Sequence, residues 1–392
     1  VYLRRPQRLH SYNWRMEKPF DVVVRGAGIV GRTLALHLAA RRLRVALLTD
    51  APASPAHSDV RAYALSPAAR ALLDAVRCWP DAQHATPVRA MQVFADAGAA
   101  LQFDAQALAT PALNWIVDVP VLERLLDEAL RFQARVQRLD SAPPAALTVI
   151  CEGRASGTRD ALRAEYAVKP YDQWALAARV RCSVAHDQVA RQWFDQGEIL
   201  ALLPLEGATG NLCALVWSVP QHKAHAMHDL EPSAFHTALE AASRGALGAL
   251  TLCSERKLWP LQAAQAERWC GSSELGSWAL AGDAAHSVHP LAGQGLNLGL
   301  GDVAELLNLL DTRPYWRSVG DLALLRRYER ARKAEYRVVG GAGDALQQVF
   351  QWQHPALQTL RALGMRGFEH SGAFKNWVAR RAMGARATSP SP

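Results

Sequence analysis

No stretch of this chain approaches the roughly 18 uninterrupted apolar residues of a membrane-spanning helix, so no such helix is expected. Cysteine is sparse. Cys78, Cys151, Cys182, Cys213, Cys253 and Cys270 are scattered, with no C-x-x-C pair and no regular spacing. That excludes a disulfide framework and a structural zinc site, and it points to free thiols in a reducing compartment. Lysine is nearly missing, at 6 against 38 arginines, so a single arginine carries little information by itself. There is no internal repeat and no heptad run. A second G-x-G-x-x-G unit is also lacking, which argues against two separate dinucleotide domains.

What is present is a chain of 392 residues, half of them apolar, enough to bury a large core in two or three domains. The net charge of +8 is unevenly placed: from Arg313 onward there are 14 basic and 5 acidic residues. This surplus reads either as contact with an anionic membrane surface or acidic partner, or as ordinary solvated helix faces. Residues 1–15 are polar and basic, without an apolar period or a signal-peptide h-region, and Met16 lies five residues before the first strand. They are expected to be a disordered leader, and an over-extended gene start is one reading of them.

Asp21 to Val24 reads as a strand, 29–41 as a helix and Arg44 to Leu48 as a second strand, a βαβ opening. Helical patterns recur at 67–76 and 121–132, and the Ala/Gly/Pro-rich stretches 95–112 and 141–147 read as loops. Strand patterns at 175–184, 199–205 and 212–219 suggest an inserted antiparallel sheet. Trp278 to Ala281 reads as a further strand. The rest is expected to be helical, with breaks at Pro314, Pro355 and around 364–372.

Gly26-Ala27-Gly28-Ile29-Val30-Gly31 stands between the first strand and helix. Gly26 suits a tight turn and Gly28 lets backbone approach a pyrophosphate. Gly31 lets helix and strand pack closely, and the helix N-terminus offers free N–H groups. The acid that such sites place near a ribose hydroxyl is either Asp50, 24 residues after Gly26, or is replaced by a weaker bond from Thr49.

The second motif runs from Ala279 through Gly282, Asp283, His286, His289, Pro290, Gly293, Gln294, Gly295, Leu296 and Asn297 to Gly299. It ends a strand, crosses a loop and enters a helix whose N–H groups can stabilise negative charge. This stretch resembles the second FAD motif of the aromatic-ring flavoprotein monooxygenases. The run from His289 to Asp302 resembles the signature of their ubiquinone-biosynthesis hydroxylase family. Asp59 to Ser66 is similar to the family segment whose arginine, here Arg61, lies against the flavin nucleotide. Cys151 to Ser156 resembles the Asp-Gly motif associated with FAD and the nicotinamide donor, with Glu152 before Gly153 where the family has Asp. Matches run from about residue 20 to Gly384. Between Leu139 and Val149 the chain is short by about a strand hairpin relative to the family.

The resemblance implies an α/β fold in which a Rossmann-type FAD-binding domain is interrupted by an antiparallel substrate-binding sheet and closed by C-terminal helices. The expected division is a leader over 1–15, FAD-binding domain over 16–165 and 261–312, the sheet over 166–260, and a helical region over 313–392. Asp283 is expected on the ribityl chain. The implied activity is hydroxylation of a polyprenylated phenol or benzoquinol of ubiquinone synthesis, through a flavin hydroperoxide formed from FAD, NAD(P)H and O2. The implied setting is cytoplasmic, peripheral at the inner face of the plasma membrane or in contact with a ubiquinone-synthesis complex, with no nucleic acid as partner. The alternatives are a hydroxylase of a soluble aromatic and a non-catalytic scaffold with the same fold.

Three weaker signals remain. His222, His225 and His228 recur every third residue without accompanying carboxylates or thiolates, and read as a polar surface rather than a metal site. His286 and His289 are candidates for proton transfer, or for packing and fixing the loop. Trp193 and Trp217 read as core aromatics, or as the wall of an apolar cavity.

Overall fold

A computed structural model describes residues 20–49, 59–95, 100–274, 276–288, 294–351 and 371–372. The valine run of the first strand, Phe20–Arg25, buries Val22, Val23 and Val24 completely. A strand covered on both faces needs that continuous apolar pattern. It lies inside a six-stranded sheet with the spatial order Cys270–Ser273, Gly276–Leu280, Ala145–Ile150, Phe20–Arg25, Val45–Leu48, Val136–Leu139. All neighbours are parallel except the first hairpin. Helix Ile29–Ala40 covers one face through Leu34 and Leu38, flanked by Val119–Arg131 and Gln294–Asp311.

The antiparallel sheet is larger than its expected span. Its order is His286–Ser287, Lys257–Ala266, Tyr166–Cys182, Leu212–Pro220, Glu198–Pro204, Val189–Asp195, Ala90–Ala95, Ala100–Asp104, with Leu250–Leu252 also on Tyr166–Cys182. Three of these strands lie wholly outside 166–260, and Lys257–Ala266 runs past its end. The pairing of Ala90–Ala95 with Val189–Asp195 is parallel. Two expected loops are corrected here. Within 95–112 the chain forms the edge strand Ala100–Asp104, and 141–147 runs into the buried strand Ala145–Ile150. The strand placed at 175–184 starts nine residues earlier, at Tyr166, with a register irregularity between Pro170 and Trp174.

One face of this sheet carries Leu176, Val180, Trp193, Leu200, Leu202, Leu215 and Trp217, closed by Phe235 and Leu239 of helix Pro232–Ala242. Trp193 stacks on Phe94 at 5.5 Å, and the Trp217 indole donates to Glu198 at 3.1 Å. Both tryptophans are therefore core. The opposite face meets a small sheet of Ala62–Leu65, Asn114–Asp118 and Ala85–Val88.

The three spaced histidines fall on helix Gln221–Asp229. His225 packs against Trp174, and His228 bonds Asp229 and the Arg256 carbonyl. Pro314 lies between Gln294–Asp311 and the long helix Leu322–Gln351. Pro355 and most of 364–372 lie outside the described residues, as does the leader 1–15. Among the described residues no helix is long and apolar enough to cross a membrane.

Candidate functional site

The two glycine motifs meet at the C-terminal edge of the parallel strands, where open α/β sheets hold their ligands. Gly26 sits at φ +98°, in the region that favours glycine, and a Cβ there would run into the Cys151 carbonyl. A Cβ on Gly31 would run into the Gly26 carbonyl, so these two glycines let three backbone segments touch. Gly28 is different. A Cβ on it would meet nothing within 4 Å, and it caps helix Ile29–Ala40 without any side-chain cap. The first N–H groups of that helix are thus left for a ligand, and the anion-seeking end of its dipole faces open space. Ala27 flanks the turn, and Thr49 follows Leu48, whose carbonyl accepts from Gly26 N–H at 3.1 Å.

The second motif leaves strand Gly276–Leu280 through a turn, Gly282–Ala284, with Gly282 at φ +63°. Backbone groups of this turn are held by the protein. Gly282 N–H donates to Asp302 at 2.8 Å, Tyr166 OH donates to the Asp283 carbonyl at 2.8 Å, and Arg159 donates to the Ala284 carbonyl at 3.4 Å. The Asp283 carboxylate is left solvent-accessible. Desolvation by the surrounding protein nevertheless raises its pKa, against the pull of His286 and Arg154.

Behind the turn, Asp302 is completely buried and receives three donors: Gly282 N–H, His286 Nε2 at 2.7 Å and Arg332 Nε at 2.6 Å. Burial alone would raise this carboxyl pKa, but His286 and Arg332 hold it below the usual aspartate range. His286 is 1% exposed and stacks on Trp269 at 4.8 Å, so it fixes the loop from below. Gln294, Gly295, Leu296 and Asn297 form the half-buried first turn of helix Gln294–Asp311, and a Cβ on Gly295 would again meet only open space. The Asn297 amide clamps protein to protein: it accepts from Ser66 N–H at 2.9 Å and donates to the Ala64 carbonyl at 2.8 Å.

Two expected cofactor contacts are engaged within the protein. Glu152, its side chain 6% exposed, accepts from Arg25 at 2.7 Å, from the Ser156 hydroxyl at 2.7 Å, and from the Thr158 hydroxyl and N–H at 2.6 and 3.1 Å. Burial raises its pKa, and Arg25 with these hydroxyls lowers it further than burial raises it. The side chain, longer than the expected Asp, turns back to its own loop, while Gly153 at φ +81° leaves open space beside it. Arg61 forms a fork on Asp59, with contacts from 2.5 to 2.9 Å, and reaches Glu123 at 3.5 Å. Asp50, His289, Pro290 and Gly293 lie outside the described residues. Tyr166, Arg159 and Arg332 belong to this site without a glycine or loop signature to mark them. Arg332 had one signal, its place on an apolar stripe with Leu324, Leu325 and Tyr328.

The open space at Gly28 and Gly295, the uncapped helix N-terminus and the accessible carboxylate at Asp283 fit an extended dinucleotide lying across both motifs. The FAD binding domain family matches residues 133–339, more than half of the chain. The chain belongs to the FAD binding domain family. This flavoprotein is 27% identical to the 3-demethoxyubiquinol 3-hydroxylase of Escherichia coli, over 94% of this chain and 99% of that one. It is 28% identical to the ubiquinone hydroxylase UbiL of Rhodospirillum rubrum, over 96% and 92% of the two chains. The fold matches p-nitrophenol 4-monooxygenase PnpA from Pseudomonas putida at TM-score 0.72 and 17% identity, over 95% and 100% of the chains. Klebsiella pneumoniae HpxO, solved with FAD and uric acid, matches at 0.71 and 16%, over 94% and 98%. The flavoprotein is an FAD-dependent aromatic hydroxylase of α/β fold, with NAD(P)H as the donor typical of its family.

Proposed function

We propose that this flavoprotein hydroxylates the ring of a polyprenylated phenol or benzoquinol of ubiquinone synthesis. The names of its relatives support the pathway. The observation that carries the substrate class is the sheet face turned toward the glycine motifs. Register places Ala177 opposite Val216 and Val216 opposite Ala201, with Ala175 and Trp259 paired in the adjacent row. The side chains of these rows are small or apolar, and Val216, Ala201, Leu203, Met91 and Trp259 remain only half-buried. The same face continues into the cluster of Ala64, Ile116 and Leu203, and the Ala64 carbonyl is bonded to Asn297 of the second motif.

FAD, when bound, would supply the redox chemistry, with NAD(P)H giving two electrons, one oxygen atom of O2 entering the ring and the other leaving as water. In this reading the uncapped helix at Gly28 holds the pyrophosphate, and the Asp283 carboxylate accepts from the ribityl chain. The N-terminus of helix Gln294–Asp311 stabilises negative charge on the ring system. The apolar sheet face orients the substrate and keeps water out.

Burying part of a prenyl tail contributes roughly 25 cal/mol per Å² removed from water. Substrate-dependent NAD(P)H oxidation, with hydroxylated product formed in step, should rise steeply from unprenylated phenol to short-chain prenyl phenols. Val216→Trp should raise KM for the prenylated series while FAD stays bound. Equal turnover of small hydroxybenzoates would replace this reading with the soluble-aromatic one.

A further inference from the structure

Helices Ile29–Ala40, Val119–Arg131 and Gln294–Asp311 end at one edge of the parallel sheet, the edge where the strands begin and opposite the glycine motifs. Hydrogen bonds lace the segments that follow them together. Arg41 forms a fork on Asp311 with both contacts at 2.6 Å, Arg135 donates to the Arg42 carbonyl at 3.1 Å, and Val45 N–H donates to the Arg135 carbonyl at 2.9 Å. Residues 41–44, 131–135 and 311–321 therefore make one continuous pole.

Two features coincide there. Tyr315, Phe132 and Trp316, at 93, 89 and 71% exposure, are the most exposed large hydrophobic side chains among the described residues, and all three stand on this pole. Tyr315 and Trp316 meet edge to face at 5.2 Å. The three segments also hold seven arginines, Arg41, Arg42, Arg44, Arg131, Arg135, Arg313 and Arg317, against Asp311 and Asp321. At the margin, Asp127 pairs with Arg131 and Arg138, and Asp21 accepts from Arg44 N–H.

We propose that this pole docks on an anionic lipid bilayer. Tyrosine and tryptophan have an apolar body and a polar handle, which suits the headgroup boundary. Arginines around them meet lipid phosphates. A bilayer accommodates separately protruding rings, whereas a protein partner must supply a matched pocket for each and bury a continuous patch of about 1,200 Å² or more. The pole is distinct from the basic region after Arg313 as a whole, since it draws five of its seven arginines from earlier in the chain.

The full chain with FAD bound is floated with vesicles of phosphatidylcholine containing phosphatidylglycerol, and with phosphatidylcholine alone. Binding to the anionic vesicles only, falling as salt is raised, is expected. Phe132→Ser, Tyr315→Ser and Trp316→Ser combined, and separately Arg42→Glu with Arg135→Glu, should each weaken it by roughly tenfold or more while flavin content and Tm hold. A chain starting at Phe20 should keep the dependence on the pole. No flotation, equal flotation with both lipids, or flotation indifferent to both sets of substitutions would overturn the proposal. So would a change of oligomeric state in the pole variants with vesicle binding intact, which would make the pole a protein interface.

Discussion

The two glycine motifs reach the same cleft by different physical means. The first is held by backbone contact: Gly26, Gly31 and the Cys151 carbonyl pack so closely that no Cβ fits. The second is held from behind by charge, with Asp302 taking bonds from Gly282, His286 and Arg332 in the dry interior. A contact of the first kind tolerates no added atom and is indifferent to pH. An arrangement of the second kind does not tolerate the loss of one partner, because an unpaired buried charge is strongly unfavourable.

The largest expected effect is on the charged side. Asp302→Ala leaves Arg332 buried with one carboxylate fewer, and should lower stability by about 3–5 kcal/mol, read from denaturant unfolding. Replacing the pair together, Asp302→Leu with Arg332→Met, should restore much of that loss. The acid limb separates the motifs further. Because the Asp302 carboxyl is held below its ordinary value, its contribution is complete above about pH 3.9 and is lost as pH falls through the folded value. In Asp302→Asn the slope of stability against pH in that range should flatten.

Gly31→Val comes next, forcing a branched side chain into the Gly26 carbonyl, at about 1–3 kcal/mol or more. It should lower Tm without changing the acid slope. Glu152→Gln weakens a network whose Arg25 partner is partly exposed, so about 1 kcal/mol is expected by thermal unfolding. The smallest effect on stability, and the most telling, is Gly28→Val. Its side chain meets only open space in the protein, so the unfolding free energy of the apoprotein should hold within about 0.5 kcal/mol while FAD is lost. Retention of stoichiometric FAD would remove Gly28 from the cofactor site.

Much of this was legible in the sequence wherever a local pattern carries the information. The buried valines of the first strand, the glycine spacing and the apolar period of the first helix lie within one stretch of chain, and the structure has them where the pattern puts them. The Ala100–Asp104 strand escaped notice because its pattern is weak and it is held by pairing with Ala90–Ala95. The parallel pairing of that neighbour with Val189–Asp195 has no local mark at all. Around the second motif, glycines and Asp283 announce themselves, but Arg332 acts from 30 residues beyond Asp302. Glu152 looked like an altered cofactor contact. Its carboxylate is bonded by Arg25 at the end of the first strand and by Thr158, partners that no motif marks.

Strand Ala145–Ile150 is flanked by Phe20–Arg25 on one side and by Gly276–Leu280 on the other. On the ribosome these two neighbours arrive far apart in time. The 125 residues between Ile150 and Gly276 take roughly 6–25 s to make at 5–20 residues per second. Throughout that interval the nascent nucleotide-binding sheet presents an open edge of Leu147, Val149 and Ile150, which invites pairing with a foreign strand. The strands of the antiparallel sheet from Tyr166 to Ala266 are synthesised within the same interval. Chains stalled before residue 276 should therefore be protease-sensitive and bind chaperones, and those that have passed about residue 311 should not.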